Sequence, residues 1–159
     1  MSVAFTKEES AETASETQLP DRPISPHPNL VTTTGLSLLE ARLQEARQAL
    51  EAAQQVEDVN ERRRQSANPS RDVRYFSERL RTAQVRATPA SLDTVGFGTT
   101  VTFSRDGRQQ TYRIVGEDEA DPKAGSISFV SPVARALNGA AVGDEVSFGG
   151  QTLEIIAIA

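Results

Sequence analysis

The stretch from Thr111 to Val146, TYRIVGEDEADPKAGSISFVSPVARALNGAAVGDEV, decides the fold of this chain. TYRIV reads as a strand that ends at Val115-Gly116, before the acidic run Glu117-Asp118-Glu119. Gly125 opens a second strand, SISFV. Ser131-Pro132 then starts a helix. A serine N-cap accepts a backbone N–H, and proline at the first helical position lacks only an N–H that would have no partner there. Val133, Ala136 and Leu137 share one face of that helix, and Asn138-Gly139 stops it. Gly143-Asp144 is a turn ahead of the strand EVSF. On these residues alone the segment is a small antiparallel sheet with one short helix.

Working upstream, TTVTF and QQTYRIV are strand-like runs on either side of Arg105-Asp106-Gly107. An Asp-Gly between alternating runs predicts a hairpin. TLEIIAI supplies a last strand. Thr88 to Asp93, with Pro89 and small polar residues, reads as a linker.

Before the linker the period changes. Thr34 is a candidate N-cap for the run GLSLLEARLQEARQALEAAQQ, which lacks proline and β-branched residues. Leu36, Leu39, Leu43, Ala46, Leu50 and Ala53 step by three and four, a heptad-type seam that requires a partner helix. Val73, Phe76, Leu80 and Ala83 repeat the pattern, so the two seams predict an antiparallel helical hairpin. Level helices put the tip near Asn60, in EDVNERRRQS. Pro69 lacks an N–H and clashes with the preceding turn of a helix. Asn68-Pro69 could therefore start the second helix instead, leaving a connection from Asn60 to Asn68. Either way a firm base is expected near 36–50 and 73–85, with a looser distal end.

Composition narrows the classes. At 159 residues the chain allows one or two small domains, and 37% hydrophobic content points to some extended chain. Residues 1–30 are read as a disordered tail, since PDRPISPHPN packs four prolines into ten residues. His27, alone there, is read as a solvated residue. A net charge of −5 argues against simple coating of DNA. No cysteine is present, which excludes disulfides and thiolate zinc sites. The polar start MSVAFTKEESAET is not a signal peptide, and no apolar run is long enough to span a bilayer. A soluble cytoplasmic protein is expected.

The words YRIVG, DEAD, IS, SPVARAL and VGDEV, in this order and at close spacing, resemble the C-terminal domain of the bacterial transcript-cleavage factors of the GreA/GreB family. FGTTVTF (Phe97 to Phe103) extends the resemblance upstream. VTTTGLSLLEARL and VRYFSERLRTAQV resemble, more weakly, the family's N-terminal coiled-coil finger. The resemblance implies an α+β fold: a helical hairpin over 31–87 followed by an FKBP-like sheet domain over 88–159. It also implies a monomeric elongation factor, not itself an enzyme, that binds RNA polymerase and meets nascent RNA and DNA only within the elongation complex. The hairpin here is about 14 residues shorter than a typical one, or roughly 10 Å per arm at 1.5 Å per residue.

In such factors an Asp and a Glu at the finger tip reach through the polymerase's secondary channel. They help hold a second Mg²⁺ and the water that cuts a backtracked transcript. Asp58 and Glu61 stand at that spacing, and hard carboxylate oxygens suit Mg²⁺. The Mg²⁺ would be shared with the polymerase, with no cofactor of the chain's own. The same DxxE is also what a solvated acidic turn at a helix end looks like. Arg62, Arg63 and Arg64 could meet RNA phosphates or polymerase acids, or pair locally with Glu57, Asp58 and Glu61. The family's docking face, which grips a coiled coil at the channel rim, carries over to Asp118, Glu119, Ser131, Pro132, Val133 and Arg135. Capping explains Ser131 and Pro132, and core packing explains Val133. Asp118 and Glu119 have no such explanation and suit a basic partner.

Four readings follow. The chain is a Gre-type cleavage factor; or it is a non-cleaving regulator that docks the same way and competes with Gre factors. Polymerase regulators named for nucleoside diphosphate kinase have such short fingers. A prolyl isomerase would need an aromatic pocket, whereas Phe97, Phe103, Tyr112, Phe129 and Phe148 mostly sit at alternating, core-facing positions. A helical adaptor without a polymerase role would fail to capture polymerase.

Overall fold

The computed structural model describes residues 19–159. The elements in chain order are β1 (Leu30–Val31), α1 (Thr33–Gln54), α2 (Val59–Thr82), β2 (Gln84–Val85), β3 (Thr100–Arg105) and β4 (Arg108–Val115). A 3-10 turn (Pro122–Ala124), β5 (Ser126–Ser128), α3 (Pro132–Leu137), β6 (Glu145–Phe148) and β7 (Gln151–Ile158) complete them. The class is α+β, a helical hairpin followed by a sheet with one short helix. Contacts group the described residues up to Ile24 with Leu39–Arg81, and Ser25–Leu38 with Thr82–Ala159. Parallel pairing of β1 with β2 (Leu30 with Gln84, Val31 with Val85) places the start of the first helix with the sheet unit.

In the first unit the leucine seam of α1 is buried as the heptad spacing requires, at Leu39, Leu43, Ala46 and Ala53. From α2, Phe76 is buried, and the Arg42 guanidinium lies 5.9 Å from its ring centroid. Arg79, outside the expected seam, is also buried at 1% exposure. The helices have 22 and 24 residues. Their connection is Gln55–Asp58, earlier and shorter than either sequence-based placement of the tip. The reason is Pro69, which lies inside α2 and does not start it. Within a helix proline forgoes one bond, to the carbonyl four residues back, and flanking turns can hold it in line.

Residues 19–30 correct the expected tail. Arg22 stacks 3.8 Å from the Tyr75 ring centroid and pairs with Asp72 at 3.3 Å, while Asp21 pairs with Arg74 at 2.5 Å. Asn29 is buried at 4% exposure. A proline-rich strand with fixed φ loses little entropy on being held, so these few contacts suffice. The expectation for residues 1–18 lies outside the described residues.

The second unit is a five-stranded sheet in the order β5-β4-β3-β7-β6. The β3–β4 turn is Asp106-Gly107 with φ of 51° and 73°, both positive as a two-residue hairpin matched to strand twist requires. Alternation puts Val101 and Phe103 of β3, and Leu153 and Ile155 of β7, on the core face. The expected all-antiparallel sheet needs one correction: β5 runs parallel to β4, with Arg113 opposite Ser126. Residues 116–125 carry the chain back across instead of turning it in a hairpin, and only Ser126–Ser128 of SISFV pairs.

Ser131 caps α3, its Oγ accepting from the Ala134 N–H at 3.4 Å, with Pro132 in the first turn. Ala134 and Leu137 are its buried face; of the expected stripe Leu137 is buried, while Val133, packed against the core, and Ala136 are half-buried. The N-cap of α1 also moves. Thr32, not Thr34, accepts the Gly35 N–H on its Oγ1 at 3.0 Å, and its carbonyl takes the Leu36 N–H at 2.9 Å.

Candidate functional site: finger tip and sheet groove

The tip is built by hydrogen bonds among seven residues. Asp58 is the N-cap of α2: its Oδ1 accepts the Glu61 N–H at 2.8 Å and its carbonyl accepts the Arg62 N–H at 2.8 Å. The DxxE spacing is thus that of a cap and the third helical residue. Arg62 turns back and donates from Nε to the Val56 carbonyl (2.7 Å) and from a terminal nitrogen to the Glu57 carbonyl (2.9 Å). Arg64 donates to Glu61 Oε2 at 2.8 and 3.2 Å, and Gln65 donates to Oε1 at 2.9 Å. The Gln65 bond, followed by the Arg64 bonds and charge, holds the Glu61 carboxyl below its ordinary value. Both Glu61 oxygens are therefore occupied.

This geometry tests the fit of Mg²⁺. Mg²⁺ takes near-octahedral oxygen ligands, and one or two carboxylates hold it only when waters and substrate phosphates complete the set. Glu61 is neutralised by Arg64, Asp58 spends one oxygen on the cap, and no group of three or more metal-ligating side chains occurs among the described residues. The pair does not fit a metal site of the chain's own. Of the three arginines, Arg62 serves the turn and Arg64 serves Glu61, while Arg63 stays exposed.

The expected docking residues separate into groups. Ser131, Pro132 and Val133 line one apolar groove of about 460 Å³, walled by Phe103, Tyr112 and Phe148. Arg135 lines a different, smaller cavity with Phe97, Phe129 and Asn138. Phe97 and Phe129 pack edge to face there at 5.6 Å. Glu119 belongs to neither. Its Oε2 accepts the Thr32 N–H at 2.9 Å and its Oε1 accepts the Thr32 hydroxyl, so it anchors the start of α1. The Gly116 N–H adds a third bond at 3.3 Å. Asp118, half-buried in the same connection, lines neither cavity.

Sequence reasoning missed Arg62's clasp, the Glu119 anchor and the burial of Arg79. Only the first carried a local signal, an arginine one turn into a helix whose preceding carbonyls lack partners. Among the described residues no helix is long and apolar enough to cross a membrane.

Residues 89–159 match the family model described as "Transcription elongation factor, GreA/GreB, C-term". The chain is 39% identical over 137 residues to a transcription elongation factor GreA of Desulfovibrio desulfuricans, covering 77% of this chain and 84% of the relative. It is 34% identical over 149 residues to a GreA of Methylobacterium nodulans, covering 80% and 94%. Among solved structures, the GreA factor homolog 1 protein of Thermus thermophilus matches with a TM-score of 0.39 at 22% identity, covering 84% of this chain and 99% of that one.

Proposed function

The chain belongs to the GreA/GreB family of transcription elongation factors, and from that premise we propose that it binds RNA polymerase and regulates elongation from the secondary channel. In this reading the sheet unit docks at the channel rim and the helical hairpin occupies the channel. The observation that carries docking is the groove of Phe103, Tyr112 and Phe148 with Ser131, Pro132 and Val133 at its edge. An aromatic, apolar centre with polar neighbours is the composition of an interface core. Such a partner places the protein in the cytoplasm, with RNA and DNA met only inside the complex and no second copy required. Arg63, exposed at the tip, is the arginine placed to meet an RNA phosphate or an acidic residue of the channel.

Between cleavage and occupancy, the tip favours a regulator that occupies the channel without stimulating cleavage. Glu61 would have to leave Arg64 and Gln65 before it could serve any other group. The test is transcript cleavage on a stalled, backtracked complex with cognate polymerase. It uses the wild type and an Asp58→Asn/Glu61→Gln variant, beside a binding control. Binding with no shortening of the RNA is expected. Shortened RNA that disappears in the variant would make the chain a cleavage factor. No binding at all would leave a helical adaptor.

A further inference from the structure

The tip carries more hydrogen bonds than a solvated acidic turn needs. The last N–H groups of the α1 end bond at 3.2 Å to carbonyls three residues back, Gln55 to Ala52 and Val56 to Ala53. The Val56 and Glu57 carbonyls, in the connection itself, are taken by the single guanidinium of Arg62. On the other side Asp58 takes the Glu61 amide, one of the four N–H groups that a helix start leaves unpaired. In a full capping box the third helical residue would reach back to the cap's own N–H. Glu61 instead points along the helix to Arg64 and Gln65.

We propose that Asp58, Arg62 and Glu61 form a self-closed turn, with Asp58 as cap, Arg62 as clasp and Glu61 held by its own helix, and that the acid pair is not a preformed Mg²⁺ site. Asp58 and Arg62 are the hairpin's means of reversing direction in four residues. A chain with so short a connection needs both helix ends satisfied locally, because no loop residues remain to do it. This holds for the protein by itself and does not depend on polymerase binding.

The test uses the full chain and amide-resolved NMR, with hydrogen exchange and a Mg²⁺ titration. Asparagine caps a helix about as well as aspartate, whereas alanine does not. Asp58→Asn should leave exchange at the Glu61 amide unchanged. Asp58→Ala should speed it about fivefold, the loss of one cap. Arg62→Ala should shift the Val56 to Asp58 amides and leave those of the sheet in place. Magnesium up to about 10 mM, ample for a weak oxygen site, should move the Asp58 and Glu61 amides no more than potassium chloride of equal ionic strength does. A saturable, Mg²⁺-specific shift at both residues, abolished in Asp58→Asn, would overturn the proposal. So would an Asp58→Ala protein whose Glu61 amide exchanges at the wild-type rate. If the alanine variant unfolds, the asparagine variant and the wild-type titration still decide.

Discussion

Glu119 holds the N-cap residue of a helix from 87 residues further along the chain: its carboxylate accepts both the amide and the hydroxyl of Thr32. Gly35 makes room for it. A Cβ at Gly35 would lie 2.0 Å from Glu119 Oε2, and one at Gly116 would lie 2.4 Å from the Leu30 carbonyl. The acidic cluster after β4 is thus partly architectural, since a charged acceptor at a helix N-terminus also meets the positive end of the helix dipole.

The sign of Gly35→Ala follows. In an ordinary helix the change stabilises by about 1 kcal/mol. Here it must push the carboxylate away from Thr32, forfeiting hydrogen bonds to a charged group worth about 1.5–3 kcal/mol. Gly35→Ala should therefore destabilise by about 0.5–2 kcal/mol, the difference between these terms. In a Glu119→Ala background the same change should stabilise. Thermal melts of the two single variants and the double variant test this, and additivity would rule out the clamp.

The amino-terminal segment should contribute through Arg22 more than through Asp21. Arg22 combines the stack on Tyr75 with the half-exposed pair to Asp72, whereas Asp21 offers one exposed pair to Arg74. Stacking is worth about 0.5–1 kcal/mol at such a site. An exposed ion pair adds a few tenths of a kcal/mol and is screened by salt. Arg22→Ala should lower the melting temperature at both low and high salt. Asp21→Ala should lower it only at low salt, and equal effects at both salts would reject this division.

Much of the fold was readable because it is written locally. Asp106-Gly107, Ser131-Pro132 and Asn138-Gly139 each state a backbone geometry in two residues, and all three serve as turn or cap. The leucine seam states which face of α1 is buried. Tertiary partners are what local patterns omit. Thr32 outcompetes Thr34 as N-cap because Glu119 supports it from far along the chain. Pro69 looked like a helix start because its cost is local, yet it lies inside α2. The candidate site was half readable. SPV named the groove's edge, but only the fold sends Arg135 to another cavity.

Two glutamates should titrate low. The Arg81 hydrogen bond holds the Glu78 carboxyl below its ordinary 4.5, and Gln65 and then Arg64 do so for Glu61. A lowered folded-state value means that the charged form is favoured on folding. The stabilisation is present above 4.5 and fades as the pH falls through the folded value. Carboxyl-detected NMR should place both below the ordinary glutamate value of 4.5. Arg81→Ala should return Glu78, and not Glu61, towards its ordinary value. A Glu78 carboxyl that does not move in that variant would contradict the assigned cause.

The two sides of α3 should separate on polymerase. Val133 edges the aromatic groove, while Arg135 lines the cavity beside Phe97. If the groove is the docking site, Val133→Glu puts a carboxylate into the apolar centre of the interface, against Phe103 and Phe148. A buried hot spot of this kind costs at least about 2 kcal/mol, roughly a thirtyfold loss of affinity. Arg135→Ala removes an exposed charge and should weaken binding by no more than a few-fold. Both variants should keep the wild-type melting temperature to within a few degrees, since Val133 is half-exposed and Arg135 exposed. Binding of labelled protein to cognate core polymerase measures both. The reverse ranking, with Arg135 dominant, would move the docking face to the opposite side of α3.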